Sequence, residues 1–203
     1  MHSPRRSTVS VASTAAIAST FALAAALTGA PLAEAHPGHE DHTGPGDAAG
    51  VAQRSPLVQK VRDATARFVD INVAMHEGWK PATPCVSGPT GGAMGVHFVL
   101  PSRVTDGQLN ASEPEALIYE PGRDGSMRLV GVEFIVIADD WAKAHPGGGA
   151  PSVDGHLTNY VGAPNRYGLP AFHELHVWAW EGNPQGSFAD WNTQVSCERQ
   201  RAD

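Results

Sequence analysis

The 203-residue chain is poor in cysteine, in aromatic residues and in positive charge, and each shortage excludes a class of protein. Its 14 lysines and arginines are outnumbered by 21 acidic residues, and no basic run is present. Nucleic acids and anionic membrane surfaces attract clustered positive charge, so neither is an expected partner. Apolar residues make up 41% of the chain, which predicts a folded core rather than disorder.

Cysteine occurs only twice, at Cys85 and Cys197, and neither belongs to a C-x-x-C pair. In an oxidising compartment an even count predicts a disulfide. That disulfide would close a long loop and contribute about 4 kcal/mol in the chain-entropy model. A metal site with two thiolate ligands is the alternative.

Motifs for nucleophilic or protease chemistry are missing. The Gly-rich segment 87–92 lacks the lysine of a phosphate-binding loop, and no G-x-S-x-G elbow occurs. His173 and His176 are three residues apart, whereas the helical zinc-protease signature requires a spacing of four. An oxidised Cys85 would also be unable to act as a nucleophile.

The N-terminus has the three zones of a secretory signal. Arg5 and Arg6 precede an uncharged, Ala-rich stretch over 9–32, and 33–35 supplies a small-x-small cleavage pattern. We therefore expect a signal peptide over 1–35, cleaved near Ala35, and a secreted or extracytoplasmic protein of net charge −8. A retained membrane anchor is the alternative, but no basic stop-transfer cluster follows. The choice between the general and twin-arginine export routes stays open.

Residues 36–54 form a Gly-, Pro- and His-rich tail for which we expect disorder. Its histidines, His36, His39 and His42, are secondary metal candidates that could bind Cu, Zn or Ni loosely. Cleavage after Ala35 would add an N-terminal amine beside the first imidazole, which favours copper. A solvated tail with only opportunistic metal affinity is the competing interpretation.

Residues 55–203 are predicted to form a single α+β domain. Apolar residues recur at three- and four-residue steps between Leu57 and Met75, which predicts one long N-terminal helix. Short runs rich in Val, Ile, Phe and Trp then predict four strands, over 95–100, 116–120, 128–138 and 171–180. We expect the helix to pack on a curved, mainly antiparallel β-sheet. Segment 121–125 predicts a hairpin turn, and 145–170 a long loop.

Alternation along three predicted strands places one polar side chain on each among apolar neighbours. These residues are His97, Glu133 and His176, with Glu133 sharing a face with Leu129 and Ile135. A buried carboxylate requires a counter-charge, a donor or a metal. Two imidazoles and one carboxylate suit Fe, Zn, Mn or Cu, with positions left open for water or substrate. A metal-free hydrogen-bonded pocket and unrelated burial remain alternatives.

Aromatic residues cluster near the C-terminus and suggest a second kind of site. Trp178, Trp180 and Glu174 are assigned to the same strand face as His176, and His76 at the helix end is close enough in principle to join them. Such a set can line an apolar pocket for a small organic ligand. Core packing explains the tryptophans equally simply.

An ordered string of segments resembles a family of small exported bacterial proteins known mainly as hypothetical proteins. The resemblance covers about residues 57–197 and agrees with export, but it implies no reaction. The segments are PCVSG (84–88), GAMGVHF (92–98), ALIYEP (116–121), LVGVEF (129–134), LHVWAW (175–180), NP (183–184) and VSC (195–197).

The leading functional hypothesis is therefore an extracytoplasmic metal-binding protein with a two-histidine, one-carboxylate site on the sheet, and its more specific form is a small metalloenzyme. The alternative is a metal-free protein that binds a small organic ligand in an aromatic pocket. Neither a reaction nor an oligomeric state follows from the residues alone.

Overall fold

The structure is a computed structural model that describes residues 55–200. The predicted signal peptide and the His-rich tail, with His36, His39 and His42, lie outside the described residues. None of the helices in 55–200 combines the length and apolar character needed to cross a membrane. The helices are α1 (Pro56–Thr65), a 3-10 helix (Ala66–Val69), α2 (Ile71–His76), α3 (Pro101–Val104) and α4 (Ala138–Ala144).

An antiparallel sheet of seven strands dominates the fold. Its order is β1-β3-β4-β5-β9-β8, with β2 paired to β3, while β6 and β7 form a separate hairpin. The four predicted strands correspond to β3, β4, β5 and β9. The strands are β1 (Lys80–Pro81), β2 (Val86–Ser87), β3 (Ala93–Val99), β4 (Ala116–Pro121), β5 (Met127–Ile137), β6 (Ser152–Val153), β7 (His156–Leu157), β8 (Asn159–Val161) and β9 (Phe172–Val177).

The prediction of an α+β fold built on one long N-terminal helix is wrong, because the protein is mostly sheet with short helices. Continuous helix from Pro56 ends at Val69, after 14 residues. The Thr65 hydroxyl donates to the Val61 carbonyl oxygen at 2.7 Å, and the chain tightens into the 3-10 helix directly afterwards. Asp70 is extended and accepts from the Asn72 N–H, so it caps a new helix. The three- and four-residue spacing of apolar residues continues across this break, so the sequence pattern does not reveal where the helix ends.

One face of the sheet, the helix face, carries the main apolar core. Side chains of β3, β4, β5 and β9 pack there against α1 and the 3-10 helix. The Tyr119 hydroxyl donates to the Phe68 carbonyl oxygen at 2.7 Å and fixes the 3-10 helix to the sheet. The fully buried members of this core include Leu57, Val58, Val61, Leu117, Tyr119, Val132, Phe134 and Val177.

The opposite face, the site face, carries two small apolar clusters instead of one core. One contains Ile118, Val130 and Trp178, and the other contains Ala116, Ile135, Ile137 and Phe172. A bulge at Ile118/Tyr119 adds one residue to β5. The extra residue reverses the alternation, so Leu129 joins the helix-face core and not the face of Glu133. The predicted shared face of Leu129 and Glu133 is therefore wrong.

The predicted disulfide between Cys85 and Cys197 is confirmed, with an S–S distance of 2.11 Å and a Cα–Cα distance of 5.5 Å. It anchors the C-terminal segment over the site face. Within this segment Asn192 bridges to Ala93 of β3, and Val195 packs in the cluster of Trp178. A disulfide of this kind indicates an oxidising, extracytoplasmic environment.

Candidate metal centre

Strand register brings the three predicted ligands together on the site face. Glu133 of β5 lies directly opposite His176 of β9, and opposite Ala116 of β4 on its other side. His97 of β3 reaches Glu133 across β4, where the small methyl group of Ala116 leaves room for the two side chains to meet. The sequence predicted the parity of each residue, and the register supplies their proximity.

The ligand atoms lie near the spacing that a metal ion requires. His97 Nε2 is 3.3 Å from Glu133 Oε2, and His176 Nε2 is 4.0 Å from Glu133 Oε1. The two imidazole rings are perpendicular, at 87°, with their centroids 5.9 Å apart. Tetrahedral coordination with bonds of about 2.1 Å places ligand atoms about 3.4 Å apart. Small side-chain movements therefore suffice to close this set around one ion.

Both histidines are neutral at physiological pH because they are buried. Burial lowers the pKa of His97 to about 4. Burial, with a smaller contribution from the neighbouring His97, lowers the pKa of His176 to about 3. A neutral imidazole exposes a lone pair, which is the form that binds a metal. Among residues 55–200, neither ring nitrogen of His176 has a hydrogen-bond partner, although the side chain is fully buried.

Glu133 is a buried acid without a basic partner. Only 5% of the residue is exposed, and the basic side chains of residues 55–200 that lie within 4.0 Å of its carboxyl group are the two neutral imidazoles. Burial raises the pKa of Glu133, and the adjacent negative charge of Glu174 raises it further. A divalent cation would supply the missing positive charge and stabilise the carboxylate.

Outer contacts orient both imidazoles toward Glu133. The Thr83 hydroxyl lies 3.4 Å from His97 Nδ1, and Asp190 Oδ1 lies 3.9 Å from His176 Nδ1. Nδ1 of each ring faces one of these two groups, so Nε2 of each ring faces the Glu133 carboxylate. Metal-binding histidines usually form a hydrogen bond through the second nitrogen; Thr83 forms this contact with His97, whereas Asp190 is close to His176 Nδ1 but beyond hydrogen-bond distance. The sequence analysis missed Thr83 and Asp190 because both are loop residues with no local motif.

A second group of metal-competent side chains shares His176 with the first. Glu174, His176 and Asp190 each offer one ligand atom within 4.8 Å of the others. Glu174, which the sequence assigned to a pocket, is hydrogen-bonded to Glu133, and the Asn159 side-chain amide donates to Asp190 at 3.1 Å. The complete cluster therefore contains two imidazoles and three carboxyl groups, with His176 shared by both groups of ligands.

A cavity of about 90 Å³ opens onto one side of the metal centre. His97 and Glu133 form part of its wall, together with the hydroxyl-bearing side chains of Thr83 and Tyr167. His176 is not in this wall and lies beneath the other two ligands with no exposed side-chain surface. An ion held by the three residues would therefore be approached from the His97 and Glu133 side.

The remaining predicted pocket residues do not assemble into one site. Trp178 is fully buried on the site face, stacks against His176 and donates from Nε1 to the Ala189 carbonyl oxygen. Trp180 packs against the helix-face core and donates to the Thr65 hydroxyl, so its predicted shared face with His176 is wrong. His76 is exposed at the end of α2. None of these three lines the cavity.

The comparisons with known proteins identify no relative. Scans of protein-family models, curated proteins and solved structures each returned no match to this chain. The resemblance to small exported bacterial proteins stays a prediction. Functional inference must therefore depend on the geometry of the site.

Proposed function

We propose that this chain is an extracytoplasmic metal-binding protein, a small metalloenzyme whose resident ion is held by His97, Glu133 and His176. The proposal includes export by the signal peptide expected over 1–35. Structural metal sites are usually closed by four protein ligands, whereas catalytic sites with three protein ligands keep a position open. The open side here corresponds to the cavity beside His97 and Glu133.

The observation that carries this proposal is the state of His176. Its two ring nitrogens are buried without a hydrogen-bond partner, next to an acid that also lacks a cation. Leaving such groups unpaired costs about 1 to 3 kcal/mol each. A metal ion would accept the lone pair of His176 Nε2 and supply the positive charge that the Glu133 carboxylate lacks.

The donor set is compatible with Fe, Zn, Mn or Cu in the divalent state. When bound, such an ion would polarise a ligand oxygen or lower the pKa of a bound water. The protein's own part is to orient the two Nε2 atoms through Thr83 and Asp190 and to hold Glu133 between them. Glu174 stands beside Glu133 as a further acceptor.

Elemental analysis of the purified full chain tests the proposal. The chain should be free of an affinity tag and should carry His36→Ala, His39→Ala and His42→Ala, so that the tail contributes no metal. We expect about one equivalent of a transition metal per chain after reconstitution. His97→Ala and Glu133→Gln should each reduce the content at least tenfold.

His173→Ala is the matched control for the histidine variants. His173 lies on the same strand as His176 but three residues away, and its Nδ1 contacts the Thr158 hydroxyl instead. This variant should keep the full metal content. Less than about a tenth of an equivalent in the unsubstituted centre, after reconstitution with each metal in turn, would refute the proposal.

A metal-free ligand-binding protein is the second candidate, and the cavity is the observation in its favour. Its pocket would not be formed by Trp178 and Trp180, since these side chains belong to different clusters. Absence of metal together with binding of small neutral molecules would favour this candidate.

A further inference from the structure

Most of the side chains that line the cavity beside the metal centre are apolar. Apolar side chains from β3, β5, β9 and the adjoining loops line it, and Glu133 is the one acidic group among its lining residues. These apolar residues are Met94, Val99, Ile135, Leu169 and Phe172. Charged groups lose hydration in such surroundings, so the body of any occupant must be apolar.

The volume limits the occupant to a small molecule. A single water molecule needs about 10 to 15 Å³ of cavity volume. The cavity of about 90 Å³ therefore accommodates roughly six to nine water-sized groups. Leu169 is 38% exposed and marks the outer part of the cavity, whereas Ile135 and Phe172 are buried. A short organic molecule fits this space.

The polar groups of the cavity favour a neutral head group. A divalent ion bound by Glu133 would have its remaining positive charge offset by Glu174 and Asp190, which contact the same cluster. The base of the cavity would then carry no net positive charge and would not attract a second carboxylate.

Hydroxyl groups in the cavity wall can donate a hydrogen bond to such a head group. Within the described residues 55–200, the hydrogen-bond partner of the Tyr167 hydroxyl is the Met94 sulfur, at 3.7 Å, and a thioether is a weak acceptor. Burial raises the pKa of Tyr167 to about 12, so its hydroxyl stays protonated and can donate. When His97 Nε2 binds the ion, Nδ1 carries the proton and donates to the Thr83 hydroxyl, which keeps its own proton as a second donor in the cavity wall.

We propose that the metal centre takes a small neutral organic ligand that places one oxygen-bearing head group between the ion and the Tyr167 hydroxyl. Its short apolar body fills the space between Val99, Ile135 and Phe172. Amides, ketones and alcohols belong to this class, and carboxylates do not. This inference rests on the proposed function, because the head group requires the ion.

Butanamide and butanoate form a matched pair of probes, since they have nearly the same shape and differ in charge. The test uses the full chain with the three tail histidines replaced by alanine and the centre loaded with Co(II), whose visible spectrum reports changes in coordination. We expect butanamide to change the spectrum with a dissociation constant at least tenfold below that of butanoate. Tyr167→Phe should weaken butanamide binding about threefold to tenfold, and Tyr160→Phe, at an exposed tyrosine, should not.

Variants of the cavity separate this inference from metal binding itself. Val99→Phe fills the cavity, and Leu169→Trp blocks its outer part in case the first variant folds poorly. Each should weaken butanamide binding at least tenfold while cobalt content stays near one equivalent. Leu157→Trp, at a leucine that is 70% exposed and outside the cavity wall, should have no effect.

Three results would overturn the inference. Equal or tighter binding of butanoate would refute the neutral head group, and unchanged butanamide binding in both blocking variants would refute the cavity. Either result with normal cobalt content leaves the proposed function intact. Failure to take up cobalt would refute the proposed function together with the inference.

Discussion

The two faces of the sheet are formed by the same strands but carry different kinds of side chain. On the helix face, Phe134 packs in a continuous apolar core against α1 and the 3-10 helix. On the site face its neighbour Glu133 lies with His97 and His176 between two small apolar clusters. Apolar burial stabilises the first face, whereas the second face retains buried polar groups that lack partners. The helix face therefore supplies most of the apolar stabilisation, whereas the site face carries buried polar groups that lower the stability of the metal-free protein.

Phe134→Ala should have the largest effect and should separate the two faces most clearly. Removing this fully buried ring should lower the free energy of unfolding by about 3 to 5 kcal/mol. Metal content of the folded fraction should stay the same, because the ring points away from the centre. Denaturant unfolding and elemental analysis measure the two effects, with Phe134→Leu as the milder control. Loss of metal without loss of stability would contradict the division between faces.

Removing the disulfide should affect the cover of the site face first. The double variant Cys85→Ala, Cys197→Ala should lose about 4 kcal/mol of unfolding free energy in the chain-entropy model. Hydrogen exchange should accelerate in the segment 182–200 more than in the helix-face strands, since that segment loses its anchor. Ser87→Ala, at an exposed position near Cys85, is the control. Uniform acceleration over both faces would show that the disulfide stabilises the whole sheet equally.

Glu115 is a buried acid that lies outside the metal centre, so it can be compared with Glu133. It is 2% exposed and accepts from the Ile135 N–H at 2.9 Å, and burial raises its pKa to about 8. Its protonated form stabilises the fold, so this contribution is complete below about pH 4.5 and declines as pH rises to about 8.

Glu115→Gln should therefore be more stable than the parent above pH 8, by roughly 2 to 4 kcal/mol, with the difference vanishing near pH 4. Urea unfolding of metal-free protein across pH measures it. Glu113→Gln, at an exposed position of the same loop, is the control. A difference that persists at pH 4 would exclude titration of Glu115 as its cause.

Asp190→Asn should have the smallest effect, confined to the site face. Its carboxylate faces His176 Nδ1 at 3.9 Å, and outer partners of this kind contribute about 10-fold to 100-fold in metal affinity. We expect about tenfold weaker metal binding with little change in unfolding free energy of the metal-free chain. Competition with a chelator measures the affinity, and Asp139→Asn, at an exposed acid, is the control. Unchanged metal affinity would show that Asp190 does not contribute to metal binding.

The errors of the sequence interpretation arose where local pattern and tertiary structure disagree. The apolar period continued past Thr65, but its hydroxyl bonds back to Val61 and the helix gives way to a 3-10 turn. A bulge in β5 moved Leu129 to the opposite face. Trp180 follows the end of β9, where strand alternation no longer applies, and it packs against the helix-face core.

Local chemistry determined much of this protein. Runs of β-branched and aromatic residues specified β3, β4, β5 and β9, and alternation within three of them assigned His97, Glu133 and His176 to single faces. The two cysteines predicted their own pairing. The strands and the faces of their side chains depend on residues only a few positions apart. The disulfide follows from the presence of only two cysteines in the chain.

Only the tertiary structure decided whether the three candidate ligands meet. Their proximity depends on the pairing of Glu133 with His176 and on the small Ala116 between Glu133 and β3. It also decided that loop residues Thr83, Tyr167 and Asp190 surround them. Register and loop placement are set by packing between residues far apart in the chain, and no local period records that packing.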